Sequence, residues 1–240
     1  MAEITWAPYF EKMKELLAGL QPVGIKSCDG RDSAAAENIA TPAGCGTVQA
    51  FTAEKIEKIV LGKLIINDEK QIGLCAIFPA EGYELPIFFS RWAEDKTSVG
   101  IFVDLIPTVD CLVDEPYRKK FCEPLGPLWE KFASLPGIAP EEHDGLRACA
   151  SIIYTAAVIP IEREGMRLAA LAPHTEYLKS YIEHCTSAAA AADVTKRAEM
   201  QRKIQCVRTT LKEYFISALA APAGKACGAA MAEQLPDIFF

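Results

Sequence analysis

Residues 71–107 decide the fold, and they read QIGLCAIFPAEGYELPIFFSRWAEDKTSVGIFVDLIP. The stretch contains three apolar runs, IGLCAIF, LPIFFSRW and VGIFVDLI, separated by the polar turns PAEGYE and AEDKTS. Runs rich in Ile, Val, Phe and Leu between such turns predict β-strands. Because turns this short cannot hold a crossover helix, the stretch predicts neighbouring antiparallel strands.

Two further strand patterns precede this stretch. They are TVQAFTA, which begins at Thr47, and KIEKIVLGKLIIN, which ends in a turn at residues 67–70. Together the five runs predict a meandering antiparallel sheet over residues 46–107. Residues 1–45 are expected to form an amphipathic helix over residues 7–20 and then a loop.

After Pro107 the apolar residues follow helical spacing, so residues 108–240 are expected to be mostly helical. We expect helices over residues 115–134 (broken near Pro124 and Pro127), 141–159 (with a strand at its end as the alternative), 163–192 (with Pro173 as the alternative start), 194–221 and 223–234. Strands followed by helices indicate the α+β class, and the poor alternation of IVLGKLII and IFVDLI indicates that both sheet faces are covered. We therefore predict a single domain over residues 1–240, a three-layer α/β/α sandwich with a central antiparallel β-sheet.

The amino-acid composition disfavours several classes of function. The net charge of −7 and the pI near 5.2 disfavour nucleic acid as a partner, and no run has the roughly 18 apolar residues that a membrane span needs. The nine cysteines form no C-x-x-C pair, which disfavours a metal site and favours free thiols in a reducing, cytoplasmic setting. The chain also lacks the common dinucleotide, phosphate-loop, zinc-protease and hydrolase motifs.

Polar residues inside the apolar strands point to a site. Arg91, Asp104 and Cys75 stand in the middle of predicted strands. An unpaired charge buried there would cost on the order of several kcal/mol. The planar Arg91 side chain can bind a ligand carboxylate or lactam carbonyl, or it can pair with Asp104 or Glu94. Asp104 is accordingly either a proton donor or a group that orients Arg91.

Several motifs in order resemble the ferredoxin-dependent bilin reductases, especially the phycocyanobilin-forming type, and more remotely red chlorophyll catabolite reductase. The segment LCAIFP, an acidic turn and LPIFF resemble the strand pattern of that family, and DLIPT from Asp104 resembles its Asp-Leu-x-Pro segment. HTEYLKSY from His174, Cys227-Gly228 and Ile238-Phe239 resemble its last helices and its ending. The likeness runs from about residue 46 to residue 240.

The resemblance implies an oxidoreductase that reduces a linear tetrapyrrole such as biliverdin by single-electron steps. Reduced ferredoxin or flavodoxin would donate the electrons, no cofactor or metal would be bound, and side chains would supply the protons. With such a ligand we expect Asp104 as a catalytic residue and a substrate site formed by Leu74, Phe78, Arg91, His174 and Tyr177, with core packing as the alternative for Tyr177. Three lysine- and arginine-rich clusters would dock the acidic electron donor; they are residues 55–63, 118–120 and 196–203.

The sequence departs from the family at its proton donors. The Glu, His and Asp that the phycocyanobilin-forming enzymes carry fall at Gly62, Leu74 and Arg91, and a later acidic residue falls near Ser217. None of these residues can act as a carboxylic proton donor. A non-catalytic tetrapyrrole carrier on the same fold is therefore the alternative, and an interaction module without a small ligand is a third reading.

Overall fold

The computed structural model describes residues 8–25, 27–28, 31–32, 36–134, 139–140, 146, 149–151, 153–160, 164–191 and 193–240. Its strands are β1 (Val23–Gly24), β2 (Ser27–Cys28), β3 (Arg31–Asp32), β4 (Ile39–Thr41), β5 (Gly44–Ala53), β6 (Ile56–Ile66), β7 (Lys70–Pro79), β8 (Ile87–Asp95), β9 (Ser98–Ile106), β10 (Ala139–Pro140) and β11 (Thr155–Pro160). Its helices are α1 (Tyr9–Leu17), α2 (Glu115–Tyr117), α3 (Gly126–Ala133), α4 (Glu164–Ser187), α5 (Val194–Tyr214), α6 (Ala220–Cys227) and α7 (Ala229–Phe239). Two π-helical turns follow α2 and α5, at Arg118–Cys122 and Phe215–Leu219.

The main sheet is antiparallel, with strand order β1-β5-β6-β7-β8-β9-β11-β10 and with β4 paired to β5. The strands from β5 to β9 form the predicted meander, each paired with the next along the chain. The tight turn before β7 has Asn67 at φ 50° and Asp68 at φ 53°, a left-handed conformation that Asn and Asp tolerate well. The predicted antiparallel sheet is confirmed.

Side chains alternate between the two faces of this sheet, and a different group of helices covers each face. Helices α1 and α4 cover one, which we call the α4 face; its core contains Tyr9, Trp92 and Tyr181. Helices α5, α6 and α7 cover the other, which we call the α5 face; its core contains Phe89 and Phe239. The predicted sheet between two helical layers is therefore confirmed.

Glycines in neighbouring strands seat one aromatic ring on each face. A Cβ atom on Gly73 would overlap the ring of Tyr9 on the α4 face, and a Cβ atom on Gly62 would overlap the ring of Phe239 on the α5 face. Both rings therefore lie directly against the strand backbone. This close approach needs the missing side chain of glycine rather than its backbone freedom.

The helical prediction after Pro107 needs three corrections. Thr155–Pro160, expected within a helix over residues 141–159, is strand β11 and pairs with β9, which supports the alternative of a strand at that end. Residues 141–145 of that expected helix, with His143, lie outside the described residues. The last helices are separated by Gly228, at φ 82°, rather than by Pro222, and the apolar tail continues α7 as far as Phe239.

The loop expected before residue 46 is also partly wrong, because β1, β2, β3, β4 and the first residues of β5 lie within it. Helix α4 begins at Glu164 rather than at the alternative start Pro173, which lies inside it. Within the described ranges, no helix combines the length and the apolar character that crossing a membrane requires.

Candidate functional site

The predicted site residues fall on both faces of the sheet. Leu74, Phe78, Arg91 and Asp104 lie on the α5 face, where Gly62, Leu74, Arg91 and Phe102 form one cross-strand row. His174 and Tyr177, in contrast, belong to α4 and pack on the opposite face. The sheet therefore separates His174 and Tyr177 from Leu74, Phe78 and Arg91 of the expected substrate site, and the catalytic role of Asp104 stays a prediction.

His174 and Tyr177 are fully buried and take part in local hydrogen bonds. The Nδ1 atom of His174 lies 2.6 Å from the hydroxyl of Ser90, and burial, followed by the charge of Arg91, lowers the pKa of His174 to about 3. The hydroxyl of Tyr177 donates to the carbonyl of Ile153 at 2.7 Å. Both side chains thus hold α4 against the rest of the structure, and His174 is neutral at physiological pH.

Arg91 is buried under α5. Its side chain is 7% exposed, and its Nη1 donates to the hydroxyl of Tyr214 at 2.8 Å. The expected acidic partners have contacts of their own: both oxygens of Asp104 accept from Ser151, and Glu94 lies on the α4 face and pairs with Arg167. Arg91 is therefore held by the helix above it and does not point into an open slot.

The space between the sheet and the last helices is filled near the row of Gly62, Leu74 and Arg91. Leu74 contacts a gap of only about 10 Å³ that Phe215 and Phe239 help to enclose. Phe78, further along β7, is fully buried with the guanidinium carbon of Arg208 at 4.6 Å from its ring centre. This part of the α5 face is core.

Asp104 is the buried acid of the α5 face. The hydroxyl of Ser151 donates to its Oδ1 at 2.5 Å, and the backbone N–H of Ser151 donates to its Oδ2 at 2.6 Å. Burial raises the pKa of Asp104 from 3.8 to about 6, although the hydrogen bonds from Ser151 and Leu105 act to lower it. This carboxyl group can therefore hold or release a proton close to neutral pH.

A cavity of about 670 Å³ lies beside α5, between that helix, the segment after β9 and residues 149–151; we call it the α5 cavity. Its volume is within the range of about 300–1,000 Å³ that is usual for small-molecule sites. Pro107, Val109 and Leu112 supply apolar wall. Ser151, whose hydroxyl contacts Asp104, also lines it, while Asp104 itself is fully buried.

The charged residues on the wall favour an anionic ligand. Arg118, Arg202 and Lys203 contribute positive charge, against the acids Asp110 and Glu199, so the wall carries a net charge of +1 in a chain of net charge −7. Arg118 is paired with Glu123 at 3.3 Å. In the described part of the chain, Arg202 and Lys203 form no ion pair.

Two cysteines of the wall are in contact. The sulfur atoms of Cys111 and Cys122 are 3.5 Å apart. The described residues contain no group of three or more His, Cys, Asp or Glu side chains placed to hold a metal ion. Cys111 and Cys122 are therefore two thiols in contact.

Sequence reasoning missed the α5 cavity because its wall comes from distant parts of the chain. The basic clusters at residues 118–120 and 196–203 were the one signal, and their expected role was donor docking. Ser151 had no distinguishing signal, since a serine in an apolar run is common. Pairing of Cys111 with Cys122 likewise follows only from the folded chain.

Comparison with solved structures finds the same fold in phytochromobilin synthase from tomato, solved in complex with biliverdin. The two chains superpose with a TM-score of 0.71 at 17% sequence identity, covering 94% of this chain and 78% of that chain. No protein-family model and no curated protein matches the chain. An identity this low shows a shared architecture, and we conclude that the chain has the fold of the tomato enzyme.

Proposed function

We propose that this protein binds a biliverdin-like linear tetrapyrrole in the α5 cavity and reduces it with electrons from ferredoxin or flavodoxin. The observation that carries the proposal is the cavity itself, which combines a suitable volume, basic side chains and a protonatable carboxyl group one hydroxyl away. The fold shared with a biliverdin complex and the sequence motifs that resemble bilin reductases support the same class of ligand.

The wall of the cavity matches the chemistry of a linear tetrapyrrole. Such a pigment has a long apolar, conjugated body and two propionate groups. The apolar residues Val109 and Leu112 can pack against the body, while Arg202 and Lys203 on α5 can bind the propionates. This arrangement replaces Arg91 as the expected carboxylate ligand, because Arg91 is covered by Tyr214.

Asp104 and Ser151 form the proposed proton path. When Asp104 is protonated, its O–H can donate to the Ser151 hydroxyl, which is then free to turn its own hydrogen toward the cavity. A pKa of about 6 keeps part of the Asp104 population protonated near neutrality. Asp104 would therefore supply a proton to the pigment through Ser151 without touching it.

Electrons would enter at the cavity mouth, which has basic and apolar residues on its surface. Arg118 lines the cavity and is followed by the exposed Lys119 and Lys120, and Leu112 beside it is 85% exposed. Positive charges next to an exposed apolar contact suit an acidic redox protein.

A non-catalytic tetrapyrrole carrier is the second candidate. It is favoured by the cross-strand row that holds Gly62, Leu74 and Arg91 where the resembled family has its proton donors. Phe239 also lies directly over Gly62, so no ligand can contact the sheet at that point. In this case the cavity would bind the pigment and leave it unchanged.

Anaerobic titration with biliverdin tests binding. We expect a shift of the pigment's absorption spectrum, and we expect the double variant Arg202→Gln, Lys203→Gln to weaken binding by about tenfold or more, since a charged hydrogen bond contributes about 1.5–3 kcal/mol. Arg197→Gln, on the same helix but not on the cavity wall, is the matched control. An unchanged spectrum with the wild-type protein would remove both candidates and leave the interaction module.

Addition of reduced ferredoxin separates the two candidates. The enzyme should convert the bound pigment, and Ser151→Ala should keep binding but slow conversion by about a hundredfold, the lower range for loss of a positioned proton donor. A bound pigment whose spectrum is unaffected by reduced ferredoxin and reduced flavodoxin would favour the carrier. Equal conversion by Ser151→Ala and wild type would reject the proton path.

A further inference from the structure

The thiols of Cys111 and Cys122 lie in a segment whose turn and short helix are held by hydrogen bonds. The backbone carbonyl of Asp110 accepts hydrogen bonds from the N–H groups of Val113 at 3.1 Å and Asp114 at 2.9 Å. Asp114 then caps α2, its Oδ1 accepting from the N–H of Tyr117 at 2.9 Å. This turn and the short helix after it bring Cys122 back to Cys111, although ten residues separate them in the sequence.

Salt bridges and hydrogen bonds hold this arrangement from the outside. Lys196 at the start of α5 binds Asp114 at 2.8 Å and Glu84 at 2.9 Å. The hydroxyl of Tyr117 lies 3.2 Å from that of Thr108, which anchors α2 to the end of β9. These contacts fix the chain segments that carry the two cysteines.

The two thiols differ in a way that suits successive roles. Cys111 is half-buried and faces the α5 cavity, whereas Cys122 is 6% exposed. Contact with the Cys122 side chain and, more weakly, the charge of Arg118 lower the pKa of Cys111, although burial and two acids act against them. The same contact and burial raise the pKa of Cys122. Cys111 is thus the more accessible and more readily ionised thiol, and Cys122 is the protected thiol.

We propose that Cys111 and Cys122 form a redox-active dithiol site on the wall of the α5 cavity, which reacts with low-molecular-weight disulfides of the glutathione type. The Cys111 thiolate attacks one sulfur of the small disulfide, breaks its S–S bond and releases one thiolate. Cys122 then loses its proton to solvent and attacks the Cys111 sulfur, so that an internal disulfide forms and a second thiolate leaves. The two cysteines lose two electrons, and the small disulfide takes them up with two protons to give two thiols.

Little movement is needed to close this bond. The sulfurs have to approach from 3.5 Å to about 2.05 Å, the length of a disulfide. Because both cysteines line the α5 cavity, the bond alters its wall and removes the free thiol of Cys111 from it. This activity is independent of the proposed tetrapyrrole reduction and requires no pigment.

Peptide mapping of the oxidised wild-type protein tests the site. The protein is treated with oxidised glutathione, remaining thiols are blocked with N-ethylmaleimide, and the non-reduced tryptic digest is analysed by mass spectrometry. Trypsin cuts between the two cysteines, so the bond joins the peptide of residues 97–118 to that of residues 121–131. We expect this linked pair, and its loss on reduction. Absence of the linked pair, with Cys111 unmodified or carrying only glutathione, would overturn the proposal.

Single variants assign the two roles. Cys122→Ser should stop at a stable glutathione adduct on Cys111, while Cys111→Ser should leave residue 122 unmodified. Cys206→Ser, which removes another cysteine of the same wall, is the matched control and should give the linked pair as the wild type does. A Cys111 linked to Cys206, or a glutathione adduct on Cys122 in Cys111→Ser, would contradict the assignment.

Discussion

The substitution Asp104→Asn is expected to change how the stability of the protein depends on pH. The folded protein raises the pKa of Asp104 from 3.8 to about 6, so the folded state binds this proton more tightly than the unfolded chain. The stability that this group contributes is therefore complete below about pH 4 and is lost as the pH rises through about 6. At about 1.4 kcal/mol for each pH unit, the difference corresponds to about 3 kcal/mol for a carboxyl group that is fully buried.

Asparagine keeps the shape and the hydrogen bonds of this position. Its Oδ1 can accept from the backbone N–H of Ser151, and its Nδ2 can donate to the Ser151 hydroxyl in place of the present contact to Oδ1. Asn cannot ionise, so the variant lacks the pH dependence that Asp104 contributes. Comparing Asp104→Asn with the wild type therefore measures the effect of the titration of Asp104 alone.

Urea unfolding at several pH values between about 4 and 8, followed by circular dichroism, measures this difference. We expect the stability of the wild type relative to Asp104→Asn to fall by roughly 2–3 kcal/mol across that interval. Asp95→Asn is the control of opposite sign: partial burial acts to raise the pKa of Asp95, but hydrogen bonds from Thr97 and Ser98 outweigh it and lower that pKa. Parallel stability profiles for Asp104→Asn and wild type would refute the raised pKa and with it the proposed proton source.

Two further substitutions test the packing on either face. Gly73→Ala should lower the free energy of unfolding by about 1–3 kcal/mol because the new methyl group overlaps the Tyr9 ring, whereas Gly126→Ala, with open space around it, should be neutral or stabilising; equal effects in urea unfolding would contradict the close approach. Tyr214→Phe removes a hydrogen bond from the buried Arg91 guanidinium and should cost about 1–3 kcal/mol in the same assay, and an unchanged midpoint would show that this bond contributes nothing.

The sheet was predictable from the sequence because each strand carries its own local signal. The runs from β5 to β9 are long, apolar and bounded by turn residues, so their order and antiparallel pairing follow from the spacing alone. Strand β11 lacked that clarity, since TAAVIP is a short apolar run that fits a buried helix as well as a strand. This run is a strand because its backbone groups pair with those of β9.

The candidate site was predictable only in part, because faces and cavities are properties of the assembled chain. Asp104 was identified correctly as a buried acid, since a carboxyl group inside an apolar strand is visible in the sequence. His174 fits a helix equally well on either side of the sheet, and the choice of side depends on the packing of Tyr9 and Ser90. The α5 cavity combines residues 107–122, 149–151 and 199–206, which no local pattern connects.

The position of Tyr9 has a consequence for the order in which the molecule assembles. Its ring lies against Gly73 of β7, stacks on Trp92 of β8 at 5.8 Å and meets the edge of His174 of α4 at 5.3 Å. This contact surface for Tyr9 forms only after β7, β8 and α4 have packed together. We therefore expect α1 to pack onto the sheet last, although it is made early during synthesis. Pulse-labelled hydrogen exchange should show protection of its amides after those of β7 and β8.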